Sequence, residues 1–281
     1  MRHTTLYRVS TRFIWHILLI LGSFIMLYPL LWLFSSSFKP AASIQDMSLL
    51  PRSLTLDNYR AGWNALQYPF GLFLGNSLFV CIGAVAGNVL ACSMAAYAFA
   101  RLRFRLKRVW FALMLVTVML PYHVLVVPQY ILFLHLGWIN TFLPLIVPKF
   151  LATDTFFIFL LVQFIRTIPR ELDSAARIDG CNAFQLYWRI ILPLSLPALA
   201  TTAILTFIWT WSDFFTQLIF LNDQNTYTIS IALRAFLDNS GNTEYGALFA
   251  MSVLSLIPIV AFFFLFQRFL ISGIATTGIR G

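Results

Sequence analysis

The segment that decides the fold runs from residue 166 to residue 197 and reads RTIPRELDSAARIDGCNAFQLYWRIILPLSLP. Up to Arg189 it is rich in charged residues, whereas a long apolar stretch lies before it at 141–163 and another, at 190–221, begins with its last eight residues. A connection of this length with many helix-forming residues is not a simple turn. We therefore expect an ordered, helical connection between two membrane-spanning helices.

Local signals predict that a first short helix begins near Pro169. Proline suits the first turn of a helix, and Glu171 and Asp173 follow where the positive end of the helix dipole favours carboxylates. The pair Asp179-Gly180 marks the end of this helix, because glycine adopts the left-handed conformation that closes helices without a steric penalty.

A second helical piece is predicted from Ala183 to Ile190, with Phe184, Tyr187 and Trp188 on one face. Two functions suit such a pair of helices. An Ala-rich knob fits a groove on another protein, where its carboxylates accept hydrogen bonds from Arg or Lys. A connection with aromatic residues also suits an amphipathic helix that lies along the membrane surface. The residues alone favour the two hypotheses equally.

The composition of the 281-residue chain excludes a water-soluble domain. Hydrophobic residues make up 60% and charged residues 10%, whereas soluble domains have about 45–50% and about 25%. Aromatic residues at 17% also exclude a disordered chain. The protein is therefore expected to be embedded in a membrane.

Six apolar stretches are each long enough to cross about 30 Å of hydrocarbon. They lie at 13–34, 72–100, 109–132, 141–163, 190–221 and 246–270. Continuous apolar runs predict helices, because the strands of a barrel would alternate in polarity over about ten residues. We predict an all-α membrane protein with one transmembrane domain over residues 1–281, in which Gly83 and Gly87 allow close helix packing.

The distribution of basic residues predicts the topology. The two termini and the loops at 101–108 and 164–189 hold fourteen of the 19 Lys and Arg residues, and the opposite loops hold four. Positive residues resist translocation, so both termini and these loops are expected in the cytoplasm. The net charge of +9 is thus explained by topology rather than by a nucleic-acid partner.

No catalytic or nucleotide-binding motif is present in the sequence. None of the three lysines, Lys39, Lys107 and Lys149, follows a glycine, so a P-loop is absent. There is no GxSxG or HExxH motif, and the four histidines are dispersed. We expect no enzyme activity and no metal site on this chain.

The run ELxxAAxxDG, followed after nine residues by IxLP, resembles the EAA loop of permease subunits of ATP-binding-cassette (ABC) importers. The matching positions are Glu171, Leu172, Ala175, Ala176, Asp179, Gly180, Ile190, Leu192 and Pro193. The resemblance covers nearly the whole chain. It includes FKP at 38–40, LTLDNY at 54–59, AYAFARLRF at 96–104, WxWxDF at 209–214 and GIRG at 278–281. These features are similar to the shorter, six-span partner of maltose-type permease heterodimers.

The resemblance implies a type I ABC importer permease fold, in which residues 166–189 form coupling helices that dock into an ATPase subunit. It assigns ATPase-docking contacts to Glu171, Asp173, Ser174, Ala175, Ala176, Asp179 and Gly180. The family usually has Glu where this chain has Ser174. Either Asp173 replaces that acid, or the Ser174 hydroxyl makes a weaker hydrogen bond than a charged group would.

The resemblance also implies partners and a location. The partners are a homologous second permease subunit, two ATPase subunits and an extracytoplasmic solute-binding protein, in the cytoplasmic (inner) membrane. ATP and Mg would be bound by the ATPase partners, and no cofactor is expected on this chain. Four loop residues are expected to contact the binding protein, although a plain connector is the alternative: Asn239, Ser240, Gly241 and Asn242.

Polar and flat aromatic residues inside the spans are the candidates for the translocation path, because a charge at bilayer depth costs at least about 2.5 kcal/mol and usually faces a cavity. The candidates are Trp209, Trp211, Asp213, Asp154, Lys149 and His123. Lys149 and Asp154 are five residues apart, so each is expected to pair with another helix. The alternatives are a buried structural network for these charges and a kinked packing helix, interrupted by Pro128, around His123.

The resulting prediction is a permease subunit that imports a carbohydrate, or a related polyol, sugar acid or glycerol phosphate, by alternating access. The rival hypothesis is a secondary transporter driven by an ion gradient, with Asp154 or Asp213 as the coupling site. The sequence shows no inverted repeat, and the rival leaves the segment at 166–197 unexplained.

Overall fold

The computed structural model of the protein describes residues 2–44, 46, 48–238 and 245–277. Within these residues all regular secondary structure is helical. The helices are α1 (Arg2–Ser36), α2 (Asp57–Trp63), α3 (Phe70–Arg101), α4 (Lys107–Thr117), α5 (Tyr122–His135), α6 (Leu143–Phe150), α7 (Thr155–Thr167), α8 (Glu171–Ile178), α9 (Ala183–Leu186), α10 (Leu192–Leu194), α11 (Leu196–Ser212), α12 (Phe215–Phe220), α13 (Ile229–Asp238) and α14 (Tyr245–Thr277). The predicted binding-protein contact at 239–242 and the GIRG match at 278–281 lie outside the described residues.

Among the described residues, four helical segments are long and apolar enough to cross a membrane. They are Ile14–Ser36, Phe70–Arg101, Leu143–Thr167 and Tyr245–Arg268. The pair Ala183–Leu194 and Leu196–Ser212, bent by 76°, adds a fifth if it is one span. All six predicted stretches fall on helical segments, but three of them are interrupted.

The third predicted span, 109–132, consists of α4 and α5, which are separated by residues 118–121. Pro121 explains the break, because a proline ring disfavours the helical conformation of the residue before it. The backbone of Pro121 itself is extended, with ψ of 129°. Pro128, which we expected to interrupt this span, lies inside α5 instead.

The fourth and fifth predicted spans are interrupted next to acidic residues. Residues 151–154 separate α6 from α7, and Ala152 there has a positive φ of 54°. Helix α11 ends before Asp213, whose backbone is extended with ψ of 109°. Irregular backbone at membrane depth is tolerated only where it is buried in protein or lines a cavity. The breaks at Asp154 and Asp213 are therefore candidate parts of the translocation path.

The described residues form two compact units, one from residues within 1–70 and 235–254 and the other from residues within 71–234 and 255–281. In the first unit, Trp32 meets Phe249 edge-on, with 5.3 Å between the ring centroids. The fully buried Lys39 of this unit donates hydrogen bonds to the backbone oxygens of Asp46 and Ser48, at 2.6 and 2.7 Å.

The core of the second unit lies where α3, α7 and α11 meet the segment that follows α7. Its buried members include Ala96, Phe157, Leu161, Ala176 and Ile191. Lipid chains are as apolar as these side chains, so close packing rather than exclusion of water stabilises this core. The segment predicted as a coupling loop is thus packed into the core.

The prediction that Gly83 and Gly87 allow close packing is confirmed. A Cβ atom on Gly83 would lie 3.0 Å from the side chain of Ile146. A Cβ atom on Gly87 would lie 2.9 Å from the backbone carbon of Lys149 and 2.8 Å from the ring of Phe150. Helix α3 therefore approaches α6 as closely as only a glycine permits.

Candidate functional site

The first helix of the predicted coupling segment, α8, begins at Glu171, two residues after the predicted start at Pro169, and ends at Ile178, just before the predicted Asp179-Gly180. Glu171 and Asp173 occupy its first turn and Arg177 its last, in agreement with the helix dipole. Gly180 has a positive φ of 81°. Its N–H donates to the oxygen of Arg177 at 3.1 Å, and the N–H of Cys181 donates to the oxygen of Ala176 at 2.9 Å. These two bonds form a Schellman motif, which satisfies carbonyls at the end of the helix.

The second helical piece covers the whole predicted range from Ala183 to Ile190. It consists of α9 and a π turn at Tyr187–Ile191, and Asn182 begins it with a capping box. The Asn182 side chain accepts from the N–H of Gln185 at 2.8 Å, and the Gln185 side chain accepts from the N–H of Asn182 at 2.9 Å. A local sequence signal thus fixes the start of this piece.

The expected common face of three aromatic residues is only partly present. Phe184 and Trp188, four residues apart, stack at 6.4 Å between ring centroids and are exposed. Tyr187 is buried instead, and its hydroxyl lies 2.8 Å from that of Ser93. Ile178, at the end of α8, is also exposed, at 87%.

The predicted docking residues divide between the two faces of α8. Those on the exposed side are Glu171, Ser174, Ala175, Asp179 and Gly180. Asp173 and Ala176 are buried within the chain. The interpretation that Asp173 offers its carboxylate to a partner is therefore wrong, because the helix turns this side chain inward.

Asp173 instead faces Arg101, at the end of α3. The Nη1 atom of Arg101 lies 3.6 Å from Oδ2 of Asp173, and both side chains are buried. The Nη2 atom of Arg101 donates to the backbone oxygens of Ile165 and Ile168, at 3.0 and 2.6 Å. Arg101 was predicted only as one cation of a basic loop. The AYAFAR run that contains it was the one available sequence signal.

Lys149 and Asp154 pair with each other, contrary to our expectation of partners on other helices. The Nζ atom of Lys149 donates to Oδ2 of Asp154 at 2.8 Å. The break between α6 and α7 allows this contact, since a continuous helix would not bring residues five apart together. The side chains are 29% and 27% exposed, so the pair is open on one side.

Asn88 of α3 connects this ion pair to α11. Its Nδ2 atom donates to Oδ2 of Asp154 at 2.6 Å and to the hydroxyl of Thr206 at 3.1 Å. In the interior of the bundle, the Asp154 carboxylate thus accepts hydrogen bonds from both the Lys149 ammonium and the Asn88 amide. We call Asn88, Lys149, Asp154 and Thr206 the polar cluster.

The two tryptophans of the WxWxDF match have different surroundings. Trp211 is buried and stacks on Phe207, with 5.5 Å between centroids, so it is a core residue and not a platform in the path. Trp209 is half exposed and packs against Phe156 and Phe157 at 5.3 and 5.2 Å.

The remaining candidates lie near the break between α11 and α12. Oδ1 of Asp213 accepts a hydrogen bond from the N–H of Thr216 at 3.1 Å. The exposed His123 meets Phe215 edge-on at 4.9 Å. Among the described residues, no three His, Cys, Asp or Glu side chains converge as metal ligands.

Comparison with known proteins gives one family. The model of the family "Binding-protein-dependent transport system inner membrane component" matches residues 87–276. Of the curated relatives, the arabinooligosaccharides transport system permease protein AraQ of Halalkalibacterium halodurans is 34% identical, over 92% of this chain and 93% of that protein. The trehalose/maltose transport system permease protein MalG of Thermococcus litoralis is 32% identical, over 94% and 97%.

A further relative and a solved structure extend this similarity. The sn-glycerol-3-phosphate transport system permease protein UgpE of Yersinia enterocolitica is 32% identical, over 92% of this chain and 94% of that protein. A chain from the crystal structure of a bacterial ABC transporter for import of the acidic polysaccharide alginate superposes with a TM-score of 0.81. It covers 92% of this chain and 96% of its own length at 23% identity, which shows the fold.

Proposed function

This chain belongs to the binding-protein-dependent transport system inner membrane components, the permease subunits of ABC importers, and on that premise we propose that its solute is a carbohydrate or a related polyol, sugar acid or glycerol phosphate. The relatives named above transport arabinooligosaccharides, trehalose or maltose, and sn-glycerol-3-phosphate. These solutes share a high density of hydroxyl groups. The rival hypothesis, a carrier driven by an ion gradient, has no support in this family.

The observation that carries the proposed mechanism is the exposed face of α8. Glu171, Ser174, Ala175 and Asp179 lie on this face, and the small side chains allow close approach of another protein. Gly180 closes the helix with open space around its Cα, since a Cβ atom there would meet nothing within 4 Å. This geometry supports docking of a separate ATPase subunit, whose closure would drive the spans between inward- and outward-open states.

The assembly in this proposal contains a homologous second permease subunit, two copies of the ATPase and an extracytoplasmic solute-binding protein. The ATPase subunits bind ATP and Mg, and this chain performs no covalent chemistry. Both termini and α8 lie in the cytoplasm, as the basic loops favour. On the opposite side, the binding protein contacts the loop that contains Asn239, Ser240, Gly241 and Asn242.

The translocation path in this proposal passes the polar cluster. Asp154 accepts hydrogen bonds and Lys149 donates them, so the open side of the pair offers both functions to the hydroxyl groups of a solute. Lys149 also suits a carboxylate or phosphate of an acidic solute. Half-exposed Trp209 offers an apolar face, and Asp213 and His123 lie at the breaks of neighbouring spans.

The test is to purify the full chain in mild detergent, identify a co-purifying ATPase and reconstitute the assembly with its binding protein in proteoliposomes. We expect uptake that requires ATP hydrolysis, and ATPase activity that rises with a hydroxyl-rich solute in a panel of oligosaccharides, uronates and glycerol phosphates. Uptake that continues after inactivation of the ATPase would contradict the proposed mechanism. Stimulation only by solutes outside this class would contradict the proposed solute.

A further inference from the structure

Three polar side chains stand on one face of the last turns of α3. Ser93, Tyr97 and Arg101 are spaced four residues apart, the spacing that places helical residues one above the other. All three are buried. In a helix that otherwise reads as a membrane span, such a row of buried polar groups requires partners.

Each member of the row bonds to a different part of the coupling region, which we define as residues 165–189. The Ser93 hydroxyl lies 2.8 Å from the hydroxyl of Tyr187. The Tyr97 hydroxyl donates to the backbone oxygen of Ala183 at 2.9 Å, and its ring packs on that of Tyr187 at 5.3 Å. Arg101 holds Ile165, Ile168 and Asp173. Helix α3 is thus bonded to the end of α7, to the first turn of α8 and to the piece formed by α9 and the π turn.

In the part of the chain that the structure describes, the contact between Arg101 and Asp173 leaves two polar atoms without a hydrogen bond. Among the described residues, neither Nε of Arg101 nor Oδ1 of Asp173 has a hydrogen-bond partner, and both atoms are buried. The 3.6 Å between Nη1 and Oδ2 also exceeds the 2.7–2.9 Å, approximately, of a charge-assisted hydrogen bond. The contact is therefore an ion pair without a direct hydrogen bond, while Nη2 holds the two backbone oxygens.

The same helix reaches the polar cluster through Asn88, one and a half turns before Ser93. Asn88 donates to Asp154 and Thr206, so a movement of α3 along or about its axis acts on the carboxylate that holds Lys149. Helix α3 is thus bonded directly to the coupling region, and through Asn88 it is bonded directly to the polar cluster in the interior of the bundle. The bonds that make this connection use none of the side chains on the exposed face of α8.

We propose that Ser93, Tyr97 and Arg101 are positioning residues that fasten the coupling region to α3, so that displacement of α8 is delivered through α3 and Asn88 to the Lys149–Asp154 pair. The proposal rests on the proposed function, since it needs an ATPase that displaces α8. It adds the route by which the displacement reaches the membrane interior. It also assigns a function to the AYAFAR run at 96–101.

The experiment measures the ratio of solute uptake to ATP hydrolysed in the reconstituted assembly. Tyr97→Phe and Ser93→Ala each remove one hydroxyl from the row while keeping most of the packing. We expect both to lower the ratio, roughly tenfold for Tyr97→Phe, with ATPase activity retained. A residue that acts only through stability would lower the amount of assembled complex and leave the ratio per complex unchanged.

Arg101 is tested together with its partner. Arg101→Gln and Asp173→Asn each leave one buried charge unpaired, so each is expected to lower both the ratio and the yield of complex. The double variant removes both charges, and we expect its yield to recover while its ratio stays low, since the ion pair that fastens α8 to α3 is still absent. Matched controls are Arg103→Gln, an exposed arginine two residues from Arg101, and Tyr68→Phe, whose hydroxyl has no hydrogen bond among the described residues.

The outcomes separate this proposal from the proposed function. If uptake by the unmodified assembly does not depend on ATP, the proposed function fails. If uptake depends on ATP but Tyr97→Phe, Ser93→Ala and the double variant keep the ratio of the controls, the positioning role fails and the row is only a packing feature.

Discussion

Asp173 and Ser174 are neighbours in α8, yet the helix turns the first inward and the second outward. The sequence left two candidates for the acid that the family usually has at position 174. Since Asp173 is only 7% exposed and faces Arg101, the outward position is that of Ser174. In the proposed assembly a hydroxyl therefore takes the place of the acid, with a weaker hydrogen bond to the ATPase.

Gly180 allows the docking surface to be tested with two substitutions at one position. Gly180→Ala forces an L-residue to a φ of 81°, which costs about 1–2 kcal/mol, but its methyl group meets open space in this chain. We expect it to lower thermal stability slightly and to keep transport. Gly180→Trp fills the open space, and we expect it to abolish ATPase binding and uptake while the protein remains in the membrane.

Uptake assays and co-purification of the ATPase check this pair, and thermal unfolding measures the common backbone cost. Normal uptake by Gly180→Trp would refute docking at this position. Equal loss of uptake in both variants would mean that backbone strain, rather than steric blocking, is responsible.

Lys107 lies in a group of cations at the start of α4. Burial lowers its pKa, and the nearby positive charges of Arg166 and Arg170 lower it further. The amine is neutral, and thus reactive, at a lower pH than an ordinary lysine with a pKa of about 10.4. We expect Arg166→Gln to raise the pKa of Lys107, because one repelling charge is gone, although burial keeps it below the ordinary value.

The pH dependence of reductive methylation at Lys107, measured by mass spectrometry, checks this prediction. The curve should move to higher pH in Arg166→Gln and stay in place in Arg189→Gln, a control on the same predicted side of the membrane. A curve that moves to lower pH in Arg166→Gln would contradict the electrostatic explanation.

Interruptions of helices are the main feature at the scale of elements. Continuous apolar stretches in the sequence become the pairs α4 and α5, α6 and α7, and α11 and α12. Two of the three breaks place a carboxylate at a helix end, Asp154 in one and Asp213 in the other. Helix ends leave backbone groups without partners, so such breaks are costly in lipid and are kept where polar groups or a cavity compensate.

Helix α3 packs closely on the end of α6, next to the break at 151–154. Two glycines of α3 test whether this packing stabilises the protein. In Gly87→Ala the new methyl group would lie 2.9 Å from the backbone of Lys149, so α6 must shift, at a cost of about 1–3 kcal/mol. In Gly75→Ala the methyl group meets nothing within 4 Å, and alanine favours a helix by about 0.5–1 kcal/mol.

Thermal unfolding in detergent should therefore show a lower midpoint for Gly87→Ala and an equal or higher midpoint for Gly75→Ala. If the two variants unfold at the same temperature, the close approach of the two helices does not contribute to stability as described.

At the scale of the whole molecule, the chain is a multi-pass inner-membrane permease in which only 10% of the residues are charged. None of the most apolar window of Ile14–Ser36 is buried within the chain, so lipid or another subunit covers this helix. The basic residues are distributed so unequally between the two sets of loops that one orientation is strongly favoured.

Single cysteines test that orientation. In a chain whose three native cysteines, Cys81, Cys92 and Cys181, are replaced by alanine, we expect Arg52→Cys to react with a membrane-impermeant thiol reagent in intact cells. Arg103→Cys should react only after the membrane is permeabilised. Both positions are exposed, so accessibility within the chain does not differ. The reverse pattern would overturn the predicted topology.

Local chemistry explains what the sequence by itself determined. Backbone groups in lipid must pair within their own segment, so apolar stretches had to be helices, and glycine and the acidic first turn were sufficient to bound α8. The tertiary structure decided the pairings between distant residues: Tyr97 with Ala183, Arg101 with Asp173, and Asn88 with Asp154. It also decided that Asp173 and Trp211 face inward, and that a helix break joins Lys149 to Asp154. Such contacts depend on which helix faces come together, and the periodicity of a single helix carries no information about its neighbour.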